Sequence, residues 1–96
     1  MARRSRVSWL SVGATDQELL GPSGNRVALQ IWPGFAGRVT LNHDSPVVLD
    51  AGITIQIGGP PLLLIYERDG SVVCEPWRAI AAVAGTVIGI VEVMEG

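Results

Sequence analysis

The residue types of a hydrolase occur together at one point in the chain, where His43, Asp44 and Ser45 are consecutive. In a Ser-His-Asp triad the histidine accepts the serine proton and the carboxylate orients the imidazole. Those three groups converge from separate segments, whereas neighbouring residues of a turn point in different directions. Residues 42–46 therefore indicate a turn whose side chains bond to their own backbone, and they give no support for an enzyme.

Metal and phosphate sites need more ligands than this sequence offers. A zinc site takes three or four Cys, His or carboxylate ligands, and the chain has one histidine and one cysteine, Cys74. Asp44 and Asp50 lack the dense acidic spacing of a calcium loop, and no glycine-rich loop leads into a helix that could hold a phosphate. Cys74 lies in an apolar run beside a carboxylate, so we expect a packed and inert thiol. The sequence predicts no cofactor, no metal and no enzymatic activity.

The elements that position these residues are strands. Apolar and polar residues alternate in 26–32, where Val27, Leu29 and Ile31 share one face, and again in 53–57. Turn residues, among them Pro33-Gly34, recur at spacings of about ten residues, as in a sandwich or small barrel. The sequence therefore predicts an all-β fold, a small antiparallel β-sandwich or barrel of about eight short strands. The other predicted strands are residues 7–12, 38–41, 62–66, 72–74, 78–84 and 86–93.

The sharpest local turn signal is Asp69-Gly70. Both residue types tolerate the positive φ that a type I′ hairpin turn requires. We therefore expect residues 62–66 to pair antiparallel with residues 72–74.

Length and composition indicate one small domain with a surplus of apolar residues. The chain has 96 residues, of which 17% are charged, against about 25% in ordinary soluble domains. The mean hydropathy is +0.38, yet no run approaches the roughly twenty apolar residues of a membrane span. We expect an apolar surface patch that favours self-association; alternatively, the surplus is alanine and glycine that need no burial.

The first six residues form a basic segment ahead of a single domain, residues 7–96. Three of the seven arginines, Arg3, Arg4 and Arg6, lie there, which leaves four arginines against nine carboxylates in the remainder. We expect a flexible arm over residues 1–6 that docks on an acidic partner surface. A solvated tail is the alternative. Three mobile cations on an acidic body are too few for a nucleic-acid binder.

Three tryptophans are the main candidates for a contact surface. Trp and Arg are enriched at interface hot spots, and Trp32 lies opposite the face of Val27, Leu29 and Ile31 in the alternation. One member of the pair Trp77-Arg78 must face away from the core. We expect one of Trp9, Trp32 and Trp77 at an intersubunit contact, with Arg78 as a further candidate, although core packing is the alternative for each tryptophan.

Short β motifs follow one another along most of the chain: SVGAT (11–15) with ELL (18–20), NRVALQI (25–31), LDAGITI (49–55), and WRAIA (77–81) leading into GTV (85–87) and IVEV (90–93). Their order resembles small all-β virion proteins of tailed bacteriophages, the decoration, cement or head-fibre class. The resemblance implies assembly in the host cytoplasm, binding to the major capsid protein on the capsid exterior, and commonly a homotrimer. It implies no catalytic residue.

Two other functions remain open at this point. A carbohydrate-binding or receptor-binding β domain of a phage fibre or tail would use an exposed Trp9, Trp32 or Trp77 as a stacking platform for sugar rings. An enzyme with an unrecognised site is the third possibility, and the single histidine argues against it. Neither nucleic acid nor membrane is an expected partner.

Overall fold

The computed structural model describes residues 3–43 and 46–95, with only the backbone of Phe35 included. Over these residues the chain forms eight strands and two short helical turns. The strands are β1 (Arg3–Val12), β2 (Gln17–Leu20), β3 (Arg26–Phe35), β4 (Val39–His43), β5 (Ile53–Ile55), β6 (Leu62–Ile65), β7 (Trp77–Ala81) and β8 (Thr86–Glu95). Between β6 and β7 lie the helical turn α1 (Tyr66–Asp69) and a 3₁₀ helix (Gly70–Cys74).

The strands form two antiparallel sheets of four. Sheet 1 has the order β1-β8-β3-β6 and sheet 2 the order β2-β7-β4-β5. Every connection crosses from one sheet to the other except the one between β4 and β5, and this strand order is that of a jelly roll. The predicted all-β sandwich of about eight strands is confirmed.

The core lies between the two sheets because side chains alternate across each strand. In β8, Ile88 and Ile90 are buried against sheet 2, whereas Val91 and Val93 lie on the outer face and are half-buried. Strand β7 alternates in the same way. The buried apolar residues of the core are Val12, Leu19, Leu20, Leu29, Ile31, Val39, Leu41, Ile55, Val73, Trp77, Ala79, Ala81, Ile88 and Ile90.

Two register shifts shape β3. The predicted burial of Leu29 and Ile31 is confirmed, but the register against β8 shifts between Arg26 and Ala28. A bulge of this kind changes which residues point inward, and Arg26 takes a buried position while Val27 is half-buried. The second shift lies between Pro33 and Phe35, so Pro33-Gly34, expected as a turn, is part of the strand.

The predicted hairpin at Asp69-Gly70 is wrong. Gly70 has a φ of +74°, but Asp69 lies in the right-handed region with a φ of −103°, and a type I′ turn needs positive φ at both residues. The Asp69 carboxylate instead accepts a hydrogen bond from the Ile65 backbone N–H at 2.9 Å and stabilises the start of α1. Residues 72–74 consequently lie in the 3₁₀ helix, and β6 pairs with β3.

Strand β2 is the element that the sequence pattern does not predict. Its four residues do not alternate, and its register against β7 shifts between Glu18 and Leu20. The predicted number of eight strands is therefore right, but one predicted strand, residues 72–74, is not a strand, and one observed strand, β2, was not predicted.

The predicted flexible arm is corrected for residues 3–6. Strand β1 begins at Arg3, not at Val7, and Arg3 pairs with Glu95 while Arg6 pairs with Glu92 in the register against β8. Carboxylates on β8 opposite the arginines explain why this basic segment joins the sheet. Met1 and Ala2 lie outside the described residues.

Candidate functional site

Of the three candidate hydrolase residues, the structure describes only His43. Asp44 and Ser45 lie outside the described residues, and His43 ends β4. Its Nδ1 lies 2.6 Å from Glu75 Oε2, and its ring centroid is 5.4 Å from that of Trp77. No cluster of three or more metal-ligating side chains occurs within residues 3–43 and 46–95.

The other candidate chemistry residues have structural partners. Arg38 donates to both carboxylate oxygens of Asp50 at 2.7 Å, and these hydrogen bonds hold the pKa of Asp50 below its ordinary value. Cys74 is half-buried with its Sγ 3.3 Å from the Arg26 carbonyl oxygen. Asp50 and Cys74 therefore serve local structure.

A buried ion pair, which the sequence analysis does not identify, joins β3 to β8. The side chains of Arg26 and Glu92 are 2% and 1% exposed, and Arg26 Nε lies 3.0 Å from Glu92 Oε2. The remaining Arg26 donors bind the carbonyl oxygens of Gly21, Val73 and Glu75. The one sign of this ion pair in the sequence is Glu92, a single carboxylate within an apolar run.

The three arginines of the expected arm line the first half of an edge strand. Arg3 Nε lies 3.2 Å from Glu95 Oε2, and Arg6 Nη2 lies 2.7 Å from Glu92 Oε1. Arg4 is exposed and has no ion pair with another described residue. We refer to Arg3, Arg4 and Arg6 as the basic end of β1.

The structure separates the three tryptophans. Trp9 is 66% exposed and Trp32 is 44% exposed, whereas Trp77 is 1% exposed. Trp77 Nε1 donates to the Val72 carbonyl oxygen at 3.2 Å, so Trp77 is a core residue and the expectation of a contact through it is corrected. Trp9 and Trp32 remain candidates on the outer face of sheet 1.

Arg78 lies on sheet 2 and is held by Asp16. Its Nε and Nη2 donate to the two carboxylate oxygens of Asp16 at 2.9 and 2.8 Å. These hydrogen bonds lower the pKa of Asp16 below its ordinary value. Arg78 therefore fastens the segment after β1 to β7, and it is not near the exposed tryptophans.

The outer face of sheet 1, which we call the open face, consists of three rows of side chains across the strands. The strand registers place Trp9 and Trp32 on either side of Gly89 in one row. None of the residues in the three rows is charged. The rows are the tryptophan row (Trp9, Gly89, Trp32), the central row (Val7, Val91, Gln30, Leu63) and the small row (Ser5, Val93, Ala28, Ile65).

Trp9 lies flat on the sheet because Gly89 has no side chain. A Cβ at Gly89 would come within 2.9 Å of Trp9 Cζ3 and 3.1 Å of Cη2. The indole therefore covers Gly89, which is buried, and presents its other side to solvent. On the other side of Gly89, Trp32 Nε1 donates to Gln30 Oε1 at 2.9 Å.

A shallow hollow of about 350 Å³ continues the open face beyond the small row. Its lining combines Val27, Ala28, Ile65 and Tyr66 with the charged residues Arg3, Glu67 and Glu95. Charged side chains thus begin only where the open face ends.

Sheet 2 differs from sheet 1 because a loop covers part of its outer face, although Val48, Ile53 and Ile57 are exposed on that side. The Asp50 backbone N–H donates to Thr40 Oγ1 at 2.8 Å, and the Val47 N–H donates to Asp16 Oδ1 at 3.2 Å. Thr40 of β4 is buried, and so is Val47 of segment 46–52. The two faces of the sandwich therefore differ, and the open face is the candidate contact surface.

Comparisons of the chain with protein-family models, curated proteins and solved structures find no match. None of the helices in residues 3–43 and 46–95 is long and apolar enough to cross a membrane.

Proposed function

We propose that this protein is a non-enzymatic bacteriophage virion protein of the decoration or cement type. It assembles in the host cytoplasm, binds the major capsid protein on the capsid exterior and stabilises the shell by bridging neighbouring subunits.

The observation that carries the proposal is the open face. It combines two exposed tryptophans with uncharged, mostly apolar rows, and a patch of this kind on a small protein is typical of a contact surface. The jelly-roll strand order supports the proposal by analogy of fold, since viral capsid domains and lectins use it.

The proposal assigns a different contact to each of two surfaces. The open face joins copies of the chain into an oligomer, and the basic end of β1 docks each copy on an acidic surface of the shell. Several modest contacts made at once oppose rupture more strongly than any single contact, because each bound module raises the effective concentration of the next.

Mass spectrometry of purified phage particles and of shells emptied of DNA tests the location. The proposal expects the chain in both preparations at a fixed ratio to the major capsid protein. Its absence from particles, or its loss together with the packaged contents, would contradict the proposal.

The docking role is tested by adding the purified chain back to shells that lack it. We expect Arg4→Glu to reduce occupancy, and to do so most strongly at low salt, because exposed charges are screened by ions. Arg38→Glu is the control for the change in charge, since it reverses an exposed arginine beside sheet 2, and circular dichroism checks that loss of its pair with Asp50 leaves it folded. Equal occupancy of the two variants would remove the basic end of β1 from the docking surface.

A carbohydrate-binding domain is the second candidate, and the flat, exposed ring of Trp9 favours it. Aromatic rings that present one side to solvent offer stacking surfaces to sugar rings. Titration of tryptophan fluorescence with oligosaccharides discriminates the two functions. Saturable quenching that is lost in Trp9→Ser would support the second candidate, and an unchanged signal would leave the first.

A further inference from the structure

We propose that a second copy of this chain covers the open face, packed face to face about a two-fold axis that runs along the central row. The proposal deepens the proposed function, on which it rests, by naming the partner that the open face takes and the geometry of the contact. Each copy contributes the same surface to such an interface.

The charge pattern favours a copy of the same chain over a charged partner. The three rows carry no charge, although the chain as a whole has a net charge of −2. Nucleic acid or an anionic membrane would need cations on this face, and an oppositely charged protein would need complementary charges. A neutral apolar face is complementary to itself.

The outer surface of sheet 1, which contains the open face, approaches the size that a stable dimer needs. Three strands of ten residues and the shorter β6 make up sheet 1. With strands about 4.8 Å apart and a rise of about 3.3 Å per residue, the whole outer surface of sheet 1 has a projected area of about 500 Å². Side-chain relief enlarges the accessible area towards the roughly 800 Å² per partner of a standard interface.

The relief of the open face fits the two-fold axis. In β8, Gly89 of the tryptophan row and Val93 of the small row lie two residues to either side of Val91. A rotation about the central row therefore places each tryptophan row over the small row of the other copy. Trp32 then meets Ala28, so a large side chain faces a small one, while the Trp9 indole, which lies over Gly89, packs on Val93 of the other copy. The hollow beside Ala28 gives the Trp32 ring further room.

Three arginine substitutions test this geometry by analytical ultracentrifugation of the full chain. Val7 and Leu63 lie at opposite ends of the central row, on β1 and β6, and each would face its own counterpart in the second copy. Val7→Arg and Leu63→Arg should each raise the dimer dissociation constant about 100-fold or more, because they place like charges together in an apolar contact. Val48→Arg is the control, since Val48 is 65% exposed and Val7 63%, but Val48 lies in the loop over sheet 2. It should leave the constant unchanged.

A charge-reversal experiment keeps the test independent of folding defects. Val7→Arg and Val7→Asp should each be monomeric, and an equimolar mixture should form a mixed dimer because opposite charges then meet on the axis. Circular dichroism of each variant checks that it is folded. Failure of folded Val7→Arg and Val7→Asp to associate when mixed would overturn the proposed axis.

Other outcomes of these experiments also test the two-fold dimer and the proposed function. A wild-type chain that is monomeric at about 100 µM, or one that forms a trimer, would overturn the two-fold dimer. A dimer sensitive to Val7→Arg but not to Leu63→Arg would be joined through the free edge of β1 and would overturn face-to-face packing. A folded monomer that still occupies phage shells would refute the dimer alone, whereas a dimer that binds no shell would refute the proposed function alone.

Discussion

Arg26 and Glu92 are buried side by side, and Glu92 also accepts a hydrogen bond from the exposed Arg6. Arg26 also donates to carbonyl oxygens around the 3₁₀ helix and the turn before β3. These carbonyl groups would lose their donor if the guanidinium were removed. The pair therefore joins β3, β8 and the 3₁₀ helix at one end of the sandwich.

We predict that Arg26→Met lowers the free energy of unfolding by about 3–5 kcal/mol, because it leaves a buried carboxylate without its buried partner. Arg3→Met is the matched control. It removes an exposed pair with Glu95, and exposed pairs contribute at most about 1 kcal/mol. Urea denaturation of both variants measures the difference, and equal losses would show that the buried pair is not a main support of the core.

Asp16 gives the fold a pH dependence whose sign follows from its partner. Hydrogen bonds from Arg78 lower the pKa of Asp16 from its ordinary value of 3.8, so the carboxylate stabilises the fold fully above that value and progressively less as the pH falls below it. We expect Asp16→Asn to be less stable than the wild type at pH 7, and the difference to shrink below about pH 4. Urea midpoints from pH 2 to 7 measure it. In an Arg78→Met background, Asp16→Asn should cost much less stability at pH 7. A cost as large as in the wild type would contradict the assignment of Arg78 as the partner of Asp16.

The sequence predicts part of the residue-level picture. Alternation in β3 correctly placed Trp32 opposite Leu29 and Ile31, because side-chain direction in a strand follows from position alone. The burial of Arg26 could not be predicted in this way. It depends on a bulge in β3 and on a carboxylate 66 positions further along the chain.

At the level of elements, Gly34 is a position in β3 where the backbone of β8 leaves no room for a side chain. A Cβ at Gly34 would lie 1.8 Å from the Val87 carbonyl oxygen, which is backbone and cannot move aside alone. We predict that Gly34→Ala lowers the free energy of unfolding by about 2–3 kcal/mol through overpacking. Gly24→Ala is the control, because nothing lies within 4 Å of a Cβ there, and it should change stability by less than about 0.5 kcal/mol. Similar effects of the two substitutions would show that the bulge relaxes easily.

The same bulge explains why the element boundaries were only partly predictable. Pro and Gly together favour a turn, yet at Pro33-Gly34 the chain stays in the sheet because the bulge accommodates both residues. At Asp69-Gly70 the same kind of reasoning predicted a hairpin, and a side-chain hydrogen bond to Ile65 produced a helical turn instead. Turn chemistry therefore located the turn at Asp69-Gly70 but not its type, and it was wrong at Pro33-Gly34, where pairing with β8 keeps the chain in the sheet.

At the level of the whole molecule, the two sheets differ in what covers them. A loop lies over sheet 2, and the open face of sheet 1 carries the exposed tryptophans. Composition predicted an apolar surface patch, but its location required the strand order, which brings β1, β8, β3 and β6 into one sheet. In the proposed dimer the two basic ends of β1 lie at opposite ends of the contact, which leaves both free to dock on a shell.

Hydroxyl-radical footprinting with mass spectrometry tests the contact surface most directly, since it reports the exposure of each tryptophan separately. In dilute monomer, Trp9 and Trp32 should be modified readily and Trp77 hardly at all, as their exposures imply. In the associated protein, modification of Trp9 and Trp32 should fall several-fold while Trp77 stays low. Unchanged modification of Trp9 and Trp32 in the associated protein would contradict the assignment of the open face as the contact surface.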